Sequence, residues 1–350
     1  MSLTDAMVEG LGKLPPEERG GIIYLGNPTI PILTVQGVLS TGLPNLDRIL
    51  CCSDKGEWGL PLGKIISIKS KPSVGKTSFL LKVADQSLKK NGAVYFIESE
   101  RALDINYARK ICSGIDKFFI TQPDTLEEAF ETVDIALNIC IKSRNLKKNQ
   151  DLSDAPFLII MDSFSGFPVK GELQGGFGSS GKALGSHARV AALACRKLTG
   201  KIAKANALFL ISHQSKSKIG VFWGNSETNI GGDAFNFHDS ISLHLYRTTS
   251  IKDKDRKVCG HYGVARTQKN KLLIPHMEAK FKITNGKGFL TYFGILDFLV
   301  SKELVKKVKG EFIFSENKHW KFDSENDFLE FFSHNKKASI YIKRKLKGNE

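Results

Sequence analysis

From Gly63 to Gly92 the chain reads GKIISIKSKPSVGKTSFLLKVADQSLKKNG, and this run admits few folds. IISIKS is short, apolar and β-branched, the pattern of a buried strand. Beyond it Phe79, Leu80, Val83, Ala84 and Leu88 recur at helical spacing, and Asn91-Gly92 is a helix stop. The connecting loop ends in Gly75, Lys76 and Thr77, as the phosphate-binding pattern G-x-x-x-x-G-K-[ST] does. In that pattern the loop and the helix N-terminus turn backbone N–H groups toward phosphate. The lysine reaches the β- and γ-phosphates and the hydroxyl holds Mg²⁺. The predicted nucleotide loop is therefore Ser70, Lys71, Pro72, Ser73, Val74, Gly75, Lys76, Thr77 and Ser78. Ser70 stands where the pattern has its first glycine. At a strand exit a side chain is acceptable there provided φ is negative, and Gly75 supplies the close approach to phosphate.

A chain of 350 residues fits one large domain with appendages, or two domains. No apolar run approaches the length of a membrane span, and MSLTDAMVEGLGKLPPEERGG carries acids and no long apolar core. The expectation is a cytoplasmic protein with no membrane partner. The 6 cysteines are scattered without a C-x-x-C, which suits a reducing compartment and offers no zinc site. A net charge of +15 favours a polyanionic partner, nucleic acid before membrane. The charge concentrates in RTTSIKDKDRKVCGHYGVARTQKNKLL and in the last twenty residues.

Three regions follow from the patterning. Residues 1–40 hold short elements broken by Pro15-Pro16 and glycines. In 41–288, apolar strands AVYFIE, FLIIMD and ALFLIS alternate with helical patterns, which predicts an α/β core on a mostly parallel sheet. DSISLHLYR, YGVARTQ and KFKITNG alternate polar with apolar and are expected as antiparallel strands at one edge. Residues 289–350 are rich in Phe and Lys, with helical patterns at FGILDFLVSKELVKK and ENDFLEFFSHNKK, and read as a small α/β domain. Two glycine-rich stretches, KGELQGGFGSSGKALGSH and KSKIGVFWGNSETNIGG, are long for loops of a compact domain.

In a parallel sheet, ligands gather at the carboxyl ends of the strands. FLIIMD ends in Asp162, suited to the Mg²⁺ shell. AVYFIESE leads to Glu98 and Glu100, either of which could orient and deprotonate an attacking water. ALFLISHQ ends in His213-Gln214, placed to sense a γ-phosphate. Any one of these alone would read as a helix cap or a solvated turn; three after one phosphate loop form a constellation.

From about residue 39 to 290 the chain resembles the bacterial RecA family of recombinases. The resemblance is carried, in order, by STGLPNLDRIL, KPSVGKTS, ESERALDINYARKI, QPDT, MDSFSGFPVKGEL, ARVAALACRKLTG, SKIGVFWGNSETNIGGDAFNF and QKNKLLIP. It implies a RecA-like P-loop ATPase that forms a helical filament on single-stranded DNA and exchanges strands with a homologous duplex, using ATP and Mg²⁺. By matched position it makes Lys76 and Thr77 the phosphate and metal residues, Asp162 the second metal residue, and Glu100 rather than Glu98 the catalytic glutamate. Asp104 and Tyr107 fall at the adenine. Gln214 couples the γ-phosphate to a DNA loop, and Lys269 and Lys271 reach a neighbouring protomer's nucleotide. The glycine-rich stretches become DNA loops, about 174–185 and 215–231. They carry Lys182, Lys216 and Lys218 as charge, Ile219 as a wedge between bases, and Phe222 or Trp223 beside it. Arg247 and Arg266 lie near positions used for a second DNA strand.

The chain departs from the pattern at Ser70, at His213 (where an asparagine is usual), in a short N-terminal helix cut by Pro15, and in a basic rather than acidic end. Two rival classes follow: a paralogue or mediator that binds DNA with weak ATPase, and a hexameric helicase on the same core.

Overall fold

The computed structural model describes residues 2–13, 35, 37–145, 155–174, 185–217, 227–229 and 234–347. The chain opens with α1 (Leu3–Lys13), β1 (Val38–Leu39), α2 (Pro44–Asp47) and β2 (Leu60–Pro61), with β1 and β2 paired antiparallel. The core runs β3 (Ile65–Ser70), α3 (Lys76–Lys89), β4 (Ala93–Glu98), α4 (Ile105–Ile111), β5 (Phe118–Thr121), α5 (Leu126–Asn145) and β6 (Phe157–Asp162). It continues through α6 (Lys170–Leu173), α7 (Ser186–Lys204), β7 (Ala207–Ser217), β8 (Glu227–Asn229), α8 (Ala234–His238), β9 (Ile241–Lys252), β10 (Val258–Asn270), β11 (Glu278–Thr284) and β12 (Gly288–Phe289).

The main sheet has the order β12-β11-β10-β9-β3-β7-β6-β4-β5. From β9 to β5 every neighbouring pair is parallel, as the alternating pattern predicted. At the other edge β10, β11 and β12 are antiparallel, but β9 itself runs parallel to β3 and turns antiparallel only toward β10. β9 is thus the hinge between the two halves and not merely an added strand.

All six residues of β3 are buried, as expected of a parallel strand covered on both faces. One face packs Ile66, Ile68, Phe96 and Ile160 under Phe79, Leu80, Val83 and Ala84 of α3. The other packs Ile97, Ile159, Met161 and Ile211 under α5 and α7. Each such side chain contributes about 1.5–3 kcal/mol of burial. α3 ends where Asn91 adopts φ +61, in accord with the Asn-Gly stop.

A third cluster, including Leu296, Leu299, Phe314, Phe328 and Ile342, lies wholly in the C-terminal region. It joins α9 (Ile295–Ser301), β13 (Val305–Val308), β14 (Glu311–Phe314), β15 (Lys321–Phe322), α10 (Glu325–His334) and α11 (Lys336–Lys347). The helix expected through FGILDFLVSKELVKK stops at Ser301, because Glu303 turns left-handed at φ +58. Val305–Val308 then pairs with β14 as a strand. Arg48 ties this region to the core, its guanidinium 4.9 Å from the Trp58 ring and 4.8 Å from the Phe298 ring. No helix among the described residues is long and apolar enough to cross a membrane.

Candidate functional site

β3 delivers the loop at the carboxyl edge of the sheet, beside the ends of β7 and β6. Gly75 caps α3 with φ +99, a left-handed backbone that favours glycine, and a Cβ there would stand 2.7 Å from Ile283 Cδ1, a side-chain end that would have to shift. Ser73 is also left-handed, at φ 62. Ser70 is not among the positive-φ residues; it is fully buried and its hydroxyl donates to Lys71 O at 2.9 Å. The missing glycine therefore leaves no strain in the loop. Ser70→Gly is expected to change nucleotide affinity by less than about tenfold, or 1.4 kcal/mol, in calorimetric titration with an ATP analogue.

Thr77 Oγ1 donates to Asp162 Oδ2 at 2.6 Å and Ser212 Oγ donates to Asp162 Oδ1 at 2.5 Å. Burial raises the Asp162 carboxyl above the ordinary range, while the Ser212 and Thr77 hydroxyls hold it down. Burial lowers Lys76, opposed by Asp162 and Glu100 nearby. Hydroxyl and carboxylate oxygens with a lysine alongside fit a hard cation and phosphate, so Thr77 and Asp162 suit Mg²⁺ with Ser212 orienting the carboxylate. Among the described residues there is no preformed cluster of His, Cys, Asp and Glu able to hold a metal.

The two glutamates separate cleanly. Glu98 is buried and spent on structure: Oε1 accepts from the Ala102 and Leu103 amides, the latter at 2.9 Å, and Oε2 accepts from Gln122 at 2.6 Å. Glu100 faces the site, where Oε1 accepts from Gln214 Nε2 at 2.7 Å and from Ser163 Oγ at 3.3 Å. Gln214 thus touches the candidate base directly, and its own amide N–H donates to Ser165 Oγ at 3.2 Å.

A cleft of about 380 Å³ opens beside the loop, lined by Ser73, Gly75, Ser78, Tyr107, His261 and Asn285 among others. Tyr107 donates its hydroxyl to Ser78 Oγ at 2.8 Å, which fixes the ring against α3. Asp104 caps α4, with Oδ1 accepting from Asn106 N at 2.8 Å and Tyr107 N at 3.2 Å. His261 Nε2 lies 3.2 Å from Val74 O and braces the loop from β10.

Lys269 and Lys271 stand elsewhere. Lys269 Nζ meets Asp239 Oδ1 at 2.7 Å, and Lys271 Nζ donates to Phe237 O at 2.9 Å. Burial, with Lys269 beside it, lowers Lys271. Their strand is in register with the start of β3: Asn270 pairs with Ile241, and Ile241 with Ile66. The phosphate loop leaves the opposite end, about 15 Å away at strand rise. Arg266 Nε is 3.7 Å from Glu278 Oε1, and Arg247 lines the cleft beside the loop. Lys182, Lys218, Ile219, Phe222 and Trp223 lie outside the described residues, and of Lys216 only the backbone, on β7, is described.

His213 replaces the expected asparagine and is 2 % exposed. Its ring sits 5.4 Å from Phe164 and 5.3 Å from Phe235, and among the described residues neither ring nitrogen has a hydrogen-bond partner. Burial, aided by Lys69 and Lys76, pushes it down to about 3. Folding then excludes a proton that the unfolded histidine binds below about 6.5, so stability falls as pH drops from there toward 3. His213→Phe is expected to remove up to about 1.4 kcal/mol per pH unit of that loss, read by denaturant unfolding between pH 7 and 5.

The loop, the Thr77–Asp162 pair and the strand order define the class: a P-loop nucleotide-binding protein on a doubly covered α/β sheet. The sequence profile of the RecA N-terminal domain matches residues 17–290. The chain is 37 % identical over 301 residues to "Protein RecA" of Gluconobacter oxydans, covering 86 % of this chain and 80 % of that one. It is 36 % identical over 289 residues to "Protein RecA" of Cereibacter sphaeroides, covering 83 % and 77 %. To "Protein RecA" of Acinetobacter baumannii it is 33 % identical over 316 residues, covering 90 % and 84 %. The chain belongs to the RecA family, and with it to the ATP-dependent, DNA-dependent recombinases.

Proposed function

We propose that the protein binds ATP and Mg²⁺ at the Gly75–Lys76–Thr77 loop, polymerises on single-stranded DNA, and pairs that strand with a homologous duplex. The observation that carries this reading is the contact of Gln214 Nε2 with Glu100 Oε1 at 2.7 Å. β7 places the residue that leads toward the second glycine-rich stretch directly on the candidate general base. DNA bound by that stretch can then govern hydrolysis. Mg²⁺, when bound, neutralises phosphate charge. Thr77 and Asp162 orient it, Lys76 holds the phosphates, Tyr107 and Asp104 flank the base, and Glu100 takes the proton of the attacking water.

Two surfaces support self-association. Among the described residues β5 is an edge strand of the main sheet, with Phe119 56 % and nearby Ile139 60 % exposed. Phe237, 76 % exposed, sits beside Lys269 and Lys271 at the amino ends of the parallel strands. Apolar surface next to cations suits a protomer contact in which the lysines face another subunit's phosphates. The residues of 174–185 and 215–231 are the proposed single-strand contacts, and Arg266 a proposed duplex contact. Residues 1–40, 41–288 and 289–350 are the proposed oligomerisation segment, ATPase core and C-terminal domain, with cytoplasmic DNA as the place of action.

Electron microscopy of the protein with single-stranded DNA and ATP tests the reading, with Lys76→Ala as control. A helical filament with wild type is expected. A closed ring would favour a motor, and the absence of any ordered polymer would favour a mediator.

A further inference from the structure

We infer that Arg247 is part of the nucleotide site and not of a second DNA-strand surface; the inference rests on the ATP-site reading above. The register separates the two arginines. Between Gly263↔Arg247 and Arg266↔His244 the β9–β10 ladder runs without a bulge. Residues 244 and 247 are an odd number apart, so they point to opposite faces of the sheet. Directly paired residues share a face, which puts Arg266 with His244 and leaves Arg247 on the other side. One DNA strand lying on one face cannot meet both.

The face that Arg247 takes is the one under the phosphate loop. It lines the same cleft as Ser73, Gly75, Ser78, Tyr107 and His261. The side chain is held there: Nη2 donates to Ser250 Oγ at 2.8 Å, three residues on along β9 and past the bulge between Gly263↔Arg247 and His261↔Ser250. Burial lowers His261, whose Nε2 meets Val74 O at 3.2 Å, and the Arg247 charge within the cleft adds to that. The cleft therefore has a neutral wall, Tyr107 and Ser78 on α4 and α3, and a cationic wall on β9–β10. A nucleoside triphosphate seated with its base at Tyr107 and its phosphates at Lys76 passes its sugar-proximal phosphate between the two. A guanidinium at that point forms a charge-assisted contact to phosphate oxygen that an amide cannot match.

Calorimetry with a non-hydrolysable ATP analogue and Mg²⁺, on the full chain without DNA, tests this. Arg247→Gln is expected to weaken analogue binding by about tenfold or more, and Arg247→Lys by less. Lys254→Gln makes the same change in net charge on an exposed residue of the same hairpin and is expected to bind within about twofold of wild type. Circular dichroism checks that each variant folds, and Arg247→Lys decides the matter should Arg247→Gln not fold. Arg247→Gln binding the analogue as wild type does, with loss of duplex capture at saturating nucleotide, would overturn the inference and return the arginine to DNA. An equal loss in Lys254→Gln would also overturn it, since the effect would then be one of net charge. Wild type that binds no analogue would overturn the ATP-site reading itself, and the inference with it.

Discussion

Glu100→Gln is expected to lower ATP turnover by about 10²- to 10⁴-fold, the usual contribution of a positioned general base, while leaving analogue binding near wild type. The amide keeps the shape of the side chain and its oxygen still accepts from Gln214 Nε2, which donates at 2.7 Å to the carboxylate. Only the capacity to take a proton is lost. Single-turnover hydrolysis beside calorimetry separates the two effects. Glu98→Gln should behave differently. Its carboxylate accepts three hydrogen bonds within a buried turn, so the variant loses folding stability before it loses chemistry. Turnover within about threefold of wild type in Glu100→Gln would remove the residue from its role.

The second large effect is expected from Lys269→Ala combined with Lys271→Ala: loss of DNA-stimulated hydrolysis with ATP still bound by the isolated protomer. The geometry makes a role in cis untenable. Lys271 N donates to Ser240 O and Ser240 N to Ile65 O, at the end of β3 away from the phosphate loop. A lysine side chain spans about half of the 15 Å or so between them. In trans the same lysines gain from being held, since Lys269 is already paired with the buried Asp239 and Lys271 with the Phe237 carbonyl. A cation pre-set in this way costs no reorganisation when a neighbour docks, and desolvation at the contact strengthens it. Hydrolysis then becomes conditional on assembly. Mixing supplies the check: Glu100→Ala keeps the lysines, the double variant keeps its base, and one intact composite site forms where the first meets the second. A co-assembled mixture with no more DNA-stimulated ATPase than its separate parts would show the lysines to be surface charges.

The candidate site was legible where chemistry and local structure coincide. Gly75, Lys76 and Thr77 sit on a strand–loop–helix whose periodicities are unmistakable, and Asp162 ends an apolar strand at the height the loop requires. What the residues alone left open was the choice between Glu98 and Glu100, because two acids two apart after a strand look alike until the turn at 102–103 claims one of them. Ser212 escaped notice for a related reason: a serine in an apolar strand carries no signal until the neighbouring strand brings Asp162 within 2.5 Å. Asp239, the anchor of Lys269, lies 30 residues away in sequence with nothing to mark it. The faces of Arg247 and Arg266 depend on the register of β9 against β10, Gly263 opposite Arg247 and Arg266 opposite His244, which side-chain patterning does not reveal. The helix through Leu304 failed because Glu303 takes a left-handed turn that its residue type does not announce.

Joint-molecule formation tests the central claim most directly. Circular single-stranded DNA, homologous linear duplex, the full-length protein and ATP with Mg²⁺ are combined, and products are resolved on a gel after deproteinisation. ATP-dependent joint molecules that require homology, and that vanish with Lys76→Ala, are the predicted result. DNA-stimulated ATP hydrolysis with no joint molecules at any protein concentration that saturates the single strand would contradict it.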